Sequence, residues 1–234
     1  MKHGRGVLLL VLMLFLGTTL ICASGYTIER MHSDIVVTAE GMYDISEEIE
    51  MNFLEPLHGF YRVIPIRYEI TDGSRPSVNA RVSRIEASDT LQTTRSGSYM
   101  ELRLGSTDRR VRGLQRYTIS YRFDIGPDPY EDYDEFYFNI VGEHWEVPIQ
   151  QFSFSIQFPA PLDPDQIWFS RGFYGSDTAE GVQWELSADR MTITGSTTVL
   201  QPGEALTVRT QMRDGYFAER VDWQSRYRLG TIVI

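Results

Sequence analysis

Cysteine and lysine are nearly absent from this 234-residue chain. Cys22 is the only cysteine, so no intramolecular disulfide can form, and thiol catalysis beyond that position is excluded. Lys2 is the only lysine, and every other basic residue is arginine. Without disulfides the chain must rely on its hydrophobic core, and about 210 residues suffice for one large or two small cores.

Recognisable catalytic and metal-binding patterns are also lacking. The sequence contains no G-x-S-x-G nucleophile elbow, no phosphate-binding P-loop and no dinucleotide fingerprint. None of the histidines has the H-x-H or H-x-x-x-H spacing of a zinc site; they are His3, His32, His58 and His144. We therefore predict no catalytic residue, no cofactor and no metal. The three later histidines are interpreted as strand-end residues hydrogen-bonded to backbone.

Basic residues are too few for nucleic acid or for an anionic membrane surface. Residues 1–25 hold two of the 22 basic residues and no acidic one, which leaves 20 basic against 32 acidic residues, net −12. Nucleic acid needs a basic face for its phosphates, so it is excluded as a partner. The same charge disfavours docking on anionic lipid headgroups.

The longest apolar run lies at the start of the chain, over residues 7–16. Lys2 and Arg5 precede it and Cys22-Ala23-Ser24 follows it, which is typical of an export signal. The run is shorter than the about 20 residues of a membrane span. We predict that residues 1–25 form a signal peptide, or a signal anchor if uncleaved, and that the rest lies on the extracytoplasmic face of the cell membrane. Lipid attachment at Cys22 is disfavoured because Ile21 is not small.

Period-two alternation of apolar residues dominates from residue 26 onward. It covers residues 43–53, 100–104, 117–125, 136–140, 152–158 and 182–186, and Glu47 is the one exception at the apolar positions between Tyr43 and Phe53. No later stretch has a helical stripe over ten residues, and turn dipeptides recur between the alternating segments. We predict an all-β fold, an antiparallel β-sandwich of two packed β units that follows an N-terminal signal or anchor helix.

Domain boundaries are predicted from composition. Pro159, Pro161 and Pro164 lie within six residues, and because proline cannot donate to a sheet ladder they mark either a linker or an edge crossing. We predict a β-sandwich domain at 26–149, a second smaller β unit at 150–218 and a juxtamembrane-like segment at 219–234. The last segment is rich in aromatic and basic residues, which is typical of a membrane interface, and a plain final strand is the alternative.

An acidic, tyrosine-rich loop offers the best place for a site. Five acidic residues lie between Gly126 and Glu135, and oxygen ligands of this kind suit calcium, but the EF-hand spacing is missing. A solvated loop is the simpler interpretation. The aromatic residues there, together with Trp145, could instead contact a sugar or a protein partner. A carboxylate pair about 5 to 9 Å apart could hydrolyse a glycoside, although 32 acidic residues make such a pair expected by chance.

Three segments occur in a fixed order after the signal: HGFYRVIP at 58–65, YTISYRF at 117–123 and DEFYFNIVGEHWEVPI at 134–149. Together they resemble the bacterial predicted membrane proteins of domain of unknown function 2207 (DUF2207), and the resemblance covers most of residues 26–215. It implies an extracytoplasmic β-rich region, followed by transmembrane helices and a longer C-terminal part. It further implies that this chain is a truncated or split member, with a hydrophobic span encoded downstream of Ile234. The family has no known catalytic residues.

The motif residues are His58, Gly59, Arg62, Pro65, Asp134, Glu135, Asn139, Trp145 and Pro148. We interpret them as structural, with Gly59 at positive φ in a turn and with Trp145 and Pro148 closing one end of the sandwich. We predict that the Arg62 guanidinium bonds a carboxylate within 131–135 or a backbone carbonyl within 136–139. Arg62→Lys should then cost about 1 to 3 kcal/mol.

The expected function is that of a non-enzymatic, extracytoplasmic β-sandwich module of a membrane-attached envelope protein. It would bind or scaffold an envelope protein or a glycan. Its attachment to the membrane would run through the N-terminal segment and a C-terminal span. Two alternatives stay open: a carboxylate-based hydrolase of envelope polysaccharide, and a calcium-stabilised adhesion-like module.

Overall fold

β-Strands make up nearly all of the regular structure in the computed structural model, which describes residues 25–68, 78–126, 130 and 132–218. The predicted signal segment, apart from Gly25, and the juxtamembrane-like segment at 219–234 lie outside these residues. Within the described ranges, no helix is long and apolar enough to cross a membrane.

The strands, in chain order, are β1 (Tyr26–Val37), β2 (Tyr43–Leu57), β3 (Phe60–Pro65), β4 (Arg67–Tyr68), β5 (Val78–Asn79), β6 (Arg81–Ala87), β7 (Leu91–Ser96), β8 (Tyr99–Leu104), β9 (Val111–Asp124), β10 (Tyr133–Val141), β11 (Phe152–Gln157), β12 (Ile167–Gly172), β13 (Val182–Leu186), β14 (Thr192–Thr197) and β15 (Ala205–Arg213). A single-turn 3₁₀ helix, Pro164–Gln166, precedes β12. The strands predicted from apolar alternation are all confirmed.

Seven strands form the main sheet, in the order β13-β14-β11-β1-β2-β9-β6. β1 is parallel to β11, and all other neighbours in this sheet are antiparallel. Side chains alternate between the two faces, as they must in a strand. On β2, for example, Ile45, Glu47 and Ile49 are buried while the intervening residues are half-buried or exposed.

Two three-stranded sheets pack against the inner face of the main sheet. The second sheet has the order β10-β15-β12 and the third sheet the order β3-β8-β7; β4 and β5 form a separate two-stranded ladder. Aromatic rings join the layers. The ring centroids of Phe154 and Phe169 are 5.7 Å apart, and those of Phe60 and Tyr117 are 4.9 Å apart. The predicted all-β antiparallel sandwich is confirmed, and it contains one parallel strand pair.

Strands from both sides of residue 150 share these sheets. β11 is the parallel neighbour of β1, and β15 pairs with β10. Pro159 and Pro161 lie in the crossing from the main sheet to the second sheet, and Pro164 begins the 3₁₀ helix of that crossing. In the described part, residues 150–218 therefore have no sheet of their own. The division into units at 26–149 and 150–218 stays a prediction about independent folding, and the shared sheets do not favour it.

Candidate functional site

A buried ion pair lies between the main sheet and the third sheet. Arg62 Nε on β3 donates to Glu47 Oε2 on β2 at 2.8 Å, and Arg62 Nη2 donates to Glu47 Oε1 at 2.6 Å. The exposed fractions of Glu47 and Arg62 are only 1% and 4%. Bidentate geometry is what a planar guanidinium offers a carboxylate, and it allows both charges to be buried.

Two further side chains from the motif segments, Tyr121 and Trp145, complete this arrangement. We call the set of Glu47, Arg62, Tyr121 and Trp145 the buried charge cluster. The Tyr121 hydroxyl donates to Glu47 Oε1 at 2.9 Å. The Arg62 guanidinium carbon lies 5.3 Å from the centroid of the Trp145 ring, within the range of a cation–π contact. Each of the three motif segments thus contributes one side chain to this cluster: Arg62, Tyr121 and Trp145.

The charges of the cluster support one another. Burial alone would lower the pKa of Arg62, but the Glu47 carboxylate raises it above the usual value. Burial, and after it the charge of Glu47, raises the pKa of Tyr121 well above its usual value. Arg62 therefore stays cationic and Tyr121 keeps the proton that it donates.

The predicted partner of Arg62 was wrong. The hydrogen bonds of Arg62 go to Glu47 and to the carbonyl of the next residue, Val63. Glu135, in the segment predicted to pair with Arg62, lies on β10 in the second sheet and accepts from Arg209 Nε at 2.5 Å. The partner is the one residue that broke the apolar alternation, since a carboxylate on the inner face of a strand needs a buried cation.

The other motif residues make backbone or strand-to-strand contacts. Asp134 Oδ2 accepts from the Phe217 backbone N–H at 2.9 Å, and Asn139 Oδ1 accepts from Thr207 Oγ1 at 2.8 Å. Pro65 ends β3, and its Cδ lies beside Gly142. Pro148 is half-buried in the segment between Trp145 and β11. These contacts join segments of the sandwich.

His58 and Gly59 form the turn between β2 and β3. His58 Nδ1 lies 3.1 Å from the carbonyl oxygens of Ser106 and Arg109, and Arg110 Nε donates to His58 Nε2 at 3.2 Å. Gly59 has a φ of +133°, a region that residues with a Cβ rarely adopt. The interpretation of His58 as a strand-end residue hydrogen-bonded to backbone is confirmed, since it directly follows β2, and the turn glycine has the predicted positive φ.

A polar groove of about 970 Å³ lies on the outer face of the main sheet. Its polar lining residues are Arg30, His32, Glu48, Glu50, Arg116, Thr118, Gln150, Gln151, Ser153, Gln183, Ser196, Thr197 and Thr198. Six of them are successive cross-strand neighbours, in the order Gln183, Ser196, Ser153, His32, Glu48 and Thr118. We call this row the polar row, and it runs across six strands of the sheet.

His32 lies at the centre of the polar row. Its Nδ1 is hydrogen-bonded to Ser153 Oγ at 2.7 Å, and its Nε2 lies 3.3 Å from Asp34 Oδ1. The interpretation of His32 as a strand-end residue bonded to backbone was wrong, since it lies within β1 and hydrogen-bonds a side chain.

The order serine, histidine, aspartate is also that of a serine hydrolase, but the geometry here differs. The serine faces Nδ1 and the carboxylate faces Nε2, the reverse of the usual arrangement. β1 and β11 each have a bonded strand on both sides, so their backbone N–H groups are used in the ladders. No free backbone donors remain beside Ser153 to form an oxyanion hole. The arrangement suits hydrogen bonding to a ligand better than acyl transfer.

Within the described ranges, no group of three or more His, Cys, Asp and Glu side chains is placed to hold a metal ion. Much of the acidic loop considered for calcium, residues 127–129 and 131, lies outside those ranges. Of the tyrosines there, Tyr130 and Tyr133 stack with ring centroids 4.3 Å apart. Trp145, which the sequence grouped with them, lies instead in the core.

The family model described as predicted membrane protein (DUF2207) N-terminal domain matches residues 27–212. The chain belongs to this family. No curated protein matches it. Among solved structures, leukotriene A4 hydrolase from Saccharomyces cerevisiae has a TM-score of 0.45 and 10% identity, over 80% of this chain and 29% of that one. An M1 zinc metallopeptidase from Deinococcus radiodurans has a TM-score of 0.39 and 14% identity, over 79% of this chain and 42% of that one. Because both TM-scores are below 0.5, neither likeness bears on function.

In this DUF2207 domain the nine motif residues lie outside the lining of the groove. They lie in the core, at turns and connections, and on β10, whereas the groove is lined chiefly by outward side chains of β1, β2, β9, β11, β13 and β14. The sequence signal for the core cluster was the inward Glu47. No comparable signal marked His32 or Ser153, because a polar residue at an outward position is the ordinary case.

Proposed function

We propose that the chain is an extracytoplasmic β-sandwich binding module of a membrane-attached envelope protein, and that the polar groove is its ligand site. The observation that carries this proposal is the groove itself, a cavity of about 970 Å³ on the outer face of the main sheet. It has the size of a ligand-binding site, and most of its lining side chains can form hydrogen bonds.

Family membership and the export-like N-terminus support the location. The family is described as predicted membrane proteins, and residues 1–25 have the pattern of an export signal. An extracytoplasmic module fits this combination. Attachment would run through the N-terminal segment if it is uncleaved, and through a C-terminal span.

The carboxylate-hydrolase alternative has one observation in its favour. Glu48 and Glu50 both line the groove, two residues apart on β2. Glu50 Oε2, however, accepts from Arg116 Nε at 2.8 Å, which occupies one of the two carboxylates that a glycosidase needs free. We therefore favour binding.

A labelling experiment tests the location. Gln157 is exposed, so Gln157→Cys should react with a membrane-impermeant maleimide in intact cells. The unmodified chain, whose sole cysteine is Cys22, is the control for background labelling. If the introduced cysteine reacts only after lysis, the extracytoplasmic placement is wrong.

Filling the groove tests the site. Ser196→Trp places a ring in the polar row and should weaken co-sedimentation of the full chain with isolated envelope material by at least about tenfold. Gln157→Trp is the matched control, because it lies on β11 outside the groove and should bind like the unmodified chain. Equal binding by both variants would mean that the groove is not the site. Covalent labelling of Ser153 by a fluorophosphonate would instead assign it to acyl-transfer chemistry.

A further inference from the structure

We infer that the ligand of the groove is an anionic oligosaccharide, recognised through side chains alone. This inference rests on the proposed function, that the groove is a binding site. It follows from three properties of the lining: how the backbone is used, which side chains point outward, and where an uncompensated charge remains.

The backbone at the centre of the groove is not available to a ligand. β14, β11, β1, β2 and β9 all have a bonded neighbour on each side within the main sheet. An extended peptide binds a sheet mainly through main-chain hydrogen bonds at a free edge, so this surface does not suit one. The ligand must be recognised by side chains.

The outward side chains favour a polyhydroxylated ligand. The polar row places hydroxyl, amide, imidazole and carboxylate groups on six adjacent strands, which are spaced by about 4.8 Å. That spacing is close to the length of one sugar ring, and the side chains of the row, most of which can both donate and accept hydrogen bonds, match a chain of sugar hydroxyls. The apolar residues of the lining, Met31, Ile49, Tyr117 and Phe152, are buried with their side chains in the core.

Arg30 supplies the uncompensated charge. It is exposed and makes no side-chain hydrogen bond or ion pair within the part of the chain that is described. Arg30 and Arg116 flank Glu50 in adjacent strands, and Glu50 is bonded to Arg116. Two cations beside one anion leave one positive charge at this end of the groove. Glu48, the other acid of the lining, lies one row away beside His32 and has no cation partner among the described residues. The lining as a whole is therefore neutral, and the unpaired cation is confined to the Arg30 end of the groove.

A single free guanidinium favours a ligand that carries isolated carboxylate or phosphate groups. Nucleic acid would need more cations and stacking aromatic residues than this lining provides. An acidic sugar fits instead. Its anionic group would pair with Arg30 in a charge-assisted bond, and its hydroxyls would bond Ser153, Ser196 and Gln183.

The test measures binding of the full chain, solubilised in detergent, to three oligosaccharide probes. These are a uronic acid hexasaccharide, a sugar-phosphate oligomer, and the uronic acid hexasaccharide after reduction of its carboxylates to alcohols. We expect at least one acidic probe to bind, and the reduced probe to bind about tenfold more weakly than its acid parent if the carboxylate is recognised. Preference for the sugar-phosphate would identify phosphate as the anionic group.

Arg30→Gln should remove the preference for acidic probes, so that an acidic probe and its reduced counterpart bind equally. Arg112→Gln is the matched control, an exposed arginine on β9 outside the groove, and it should keep the preference. Equal binding of acidic and neutral sugars, or binding of extended peptides instead of sugars, overturns this inference but leaves the groove as the site. The inference is also overturned, and the groove is still the site, if Ser196→Trp loses envelope binding while no acidic probe binds the unmodified chain. Probe binding that Ser196→Trp does not affect overturns the proposed function as well.

Discussion

Glu47→Gln should lower the free energy of unfolding by about 3 to 5 kcal/mol, because it leaves the Arg62 cation buried without its counter-charge. Glutamine keeps the volume of the side chain, so the loss reports the charge and not a cavity. Arg62 is 4% exposed and cannot turn to solvent without opening the contact between the main and third sheets. Urea unfolding of the full chain, followed by tryptophan fluorescence, measures the change.

Asp44→Asn is the matched control for this prediction. Asp44 lies on the same strand and pairs with Arg122, but 42% of the Asp44 side chain is exposed. An exposed pair contributes at most about 1 kcal/mol. If the two variants lose the same stability, the charge cluster is not the buried pair described here.

A double variant keeps the prediction testable if Glu47→Gln fails to fold. Replacing both partners by apolar residues of similar size, Glu47→Leu with Arg62→Met, removes the unpaired charge altogether. Substitutions of this kind are often neutral or even stabilising. Recovery of folding in the double variant would assign the loss to the uncompensated cation. Failure of the double variant as well would mean that this position requires polar groups for another reason.

Arg62→Lys belongs to the same argument. The predicted cost of about 1 to 3 kcal/mol is unchanged by the change of partner, because lysine cannot donate two parallel bonds to Glu47. It would also weaken the contact with the Trp145 ring, since a compact ammonium stacks less well than a planar guanidinium. A lysine variant as stable as the unmodified chain would show that the positive charge alone, without two parallel hydrogen bonds to Glu47, stabilises the cluster.

The strands could be predicted because their physical cause is local. Alternation over 43–53 and 152–158 reports that one side of each strand is buried, and that is what the structure has. The order of strands could not be predicted. The parallel pairing of β1 with β11 joins residues more than 100 positions apart, for example Met31 with Phe152, and no local pattern encodes it.

The partner of Arg62 could have been found from the sequence, whereas the groove could not. Glu47 stood at an apolar position, and a carboxylate there predicts a buried cation. The exception in the apolar pattern, and not the segment richest in acids, indicates the partner. The groove depends on which outward residues of six strands become neighbours. Ser153 and His32 are unremarkable polar positions until β11 lies beside β1.

Gly59→Ala should be at least as disruptive, with a loss of more than about 3 kcal/mol, because backbone strain and a backbone clash act together. The φ of +133° is strained for any residue with a Cβ. An ideal Cβ at this position would lie 1.8 Å from the Leu104 carbonyl oxygen, far inside contact distance. Gly105 mirrors it, since its Cβ would lie 2.0 Å from the His58 carbonyl oxygen. The two glycines therefore let β3 and β8 approach closely at the end of the third sheet.

Gly97→Ala separates the strain from the clash. Gly97 also has a positive φ, +56°, but an added Cβ would meet nothing within 4 Å. Its replacement should cost only the left-handed backbone conformation, about 1 kcal/mol. Thermal unfolding of the two variants, compared with the unmodified chain, measures the difference.

A clash with a carbonyl in a strand ladder can be relieved only by moving β3 away from β8, and Arg62 on β3 would move with it. Gly59→Ala should therefore also weaken the hold of Glu47 on Arg62, so adding Glu47→Gln to it should cost less than Glu47→Gln costs alone. Full additivity of the two losses would show that the turn and the charge cluster are independent.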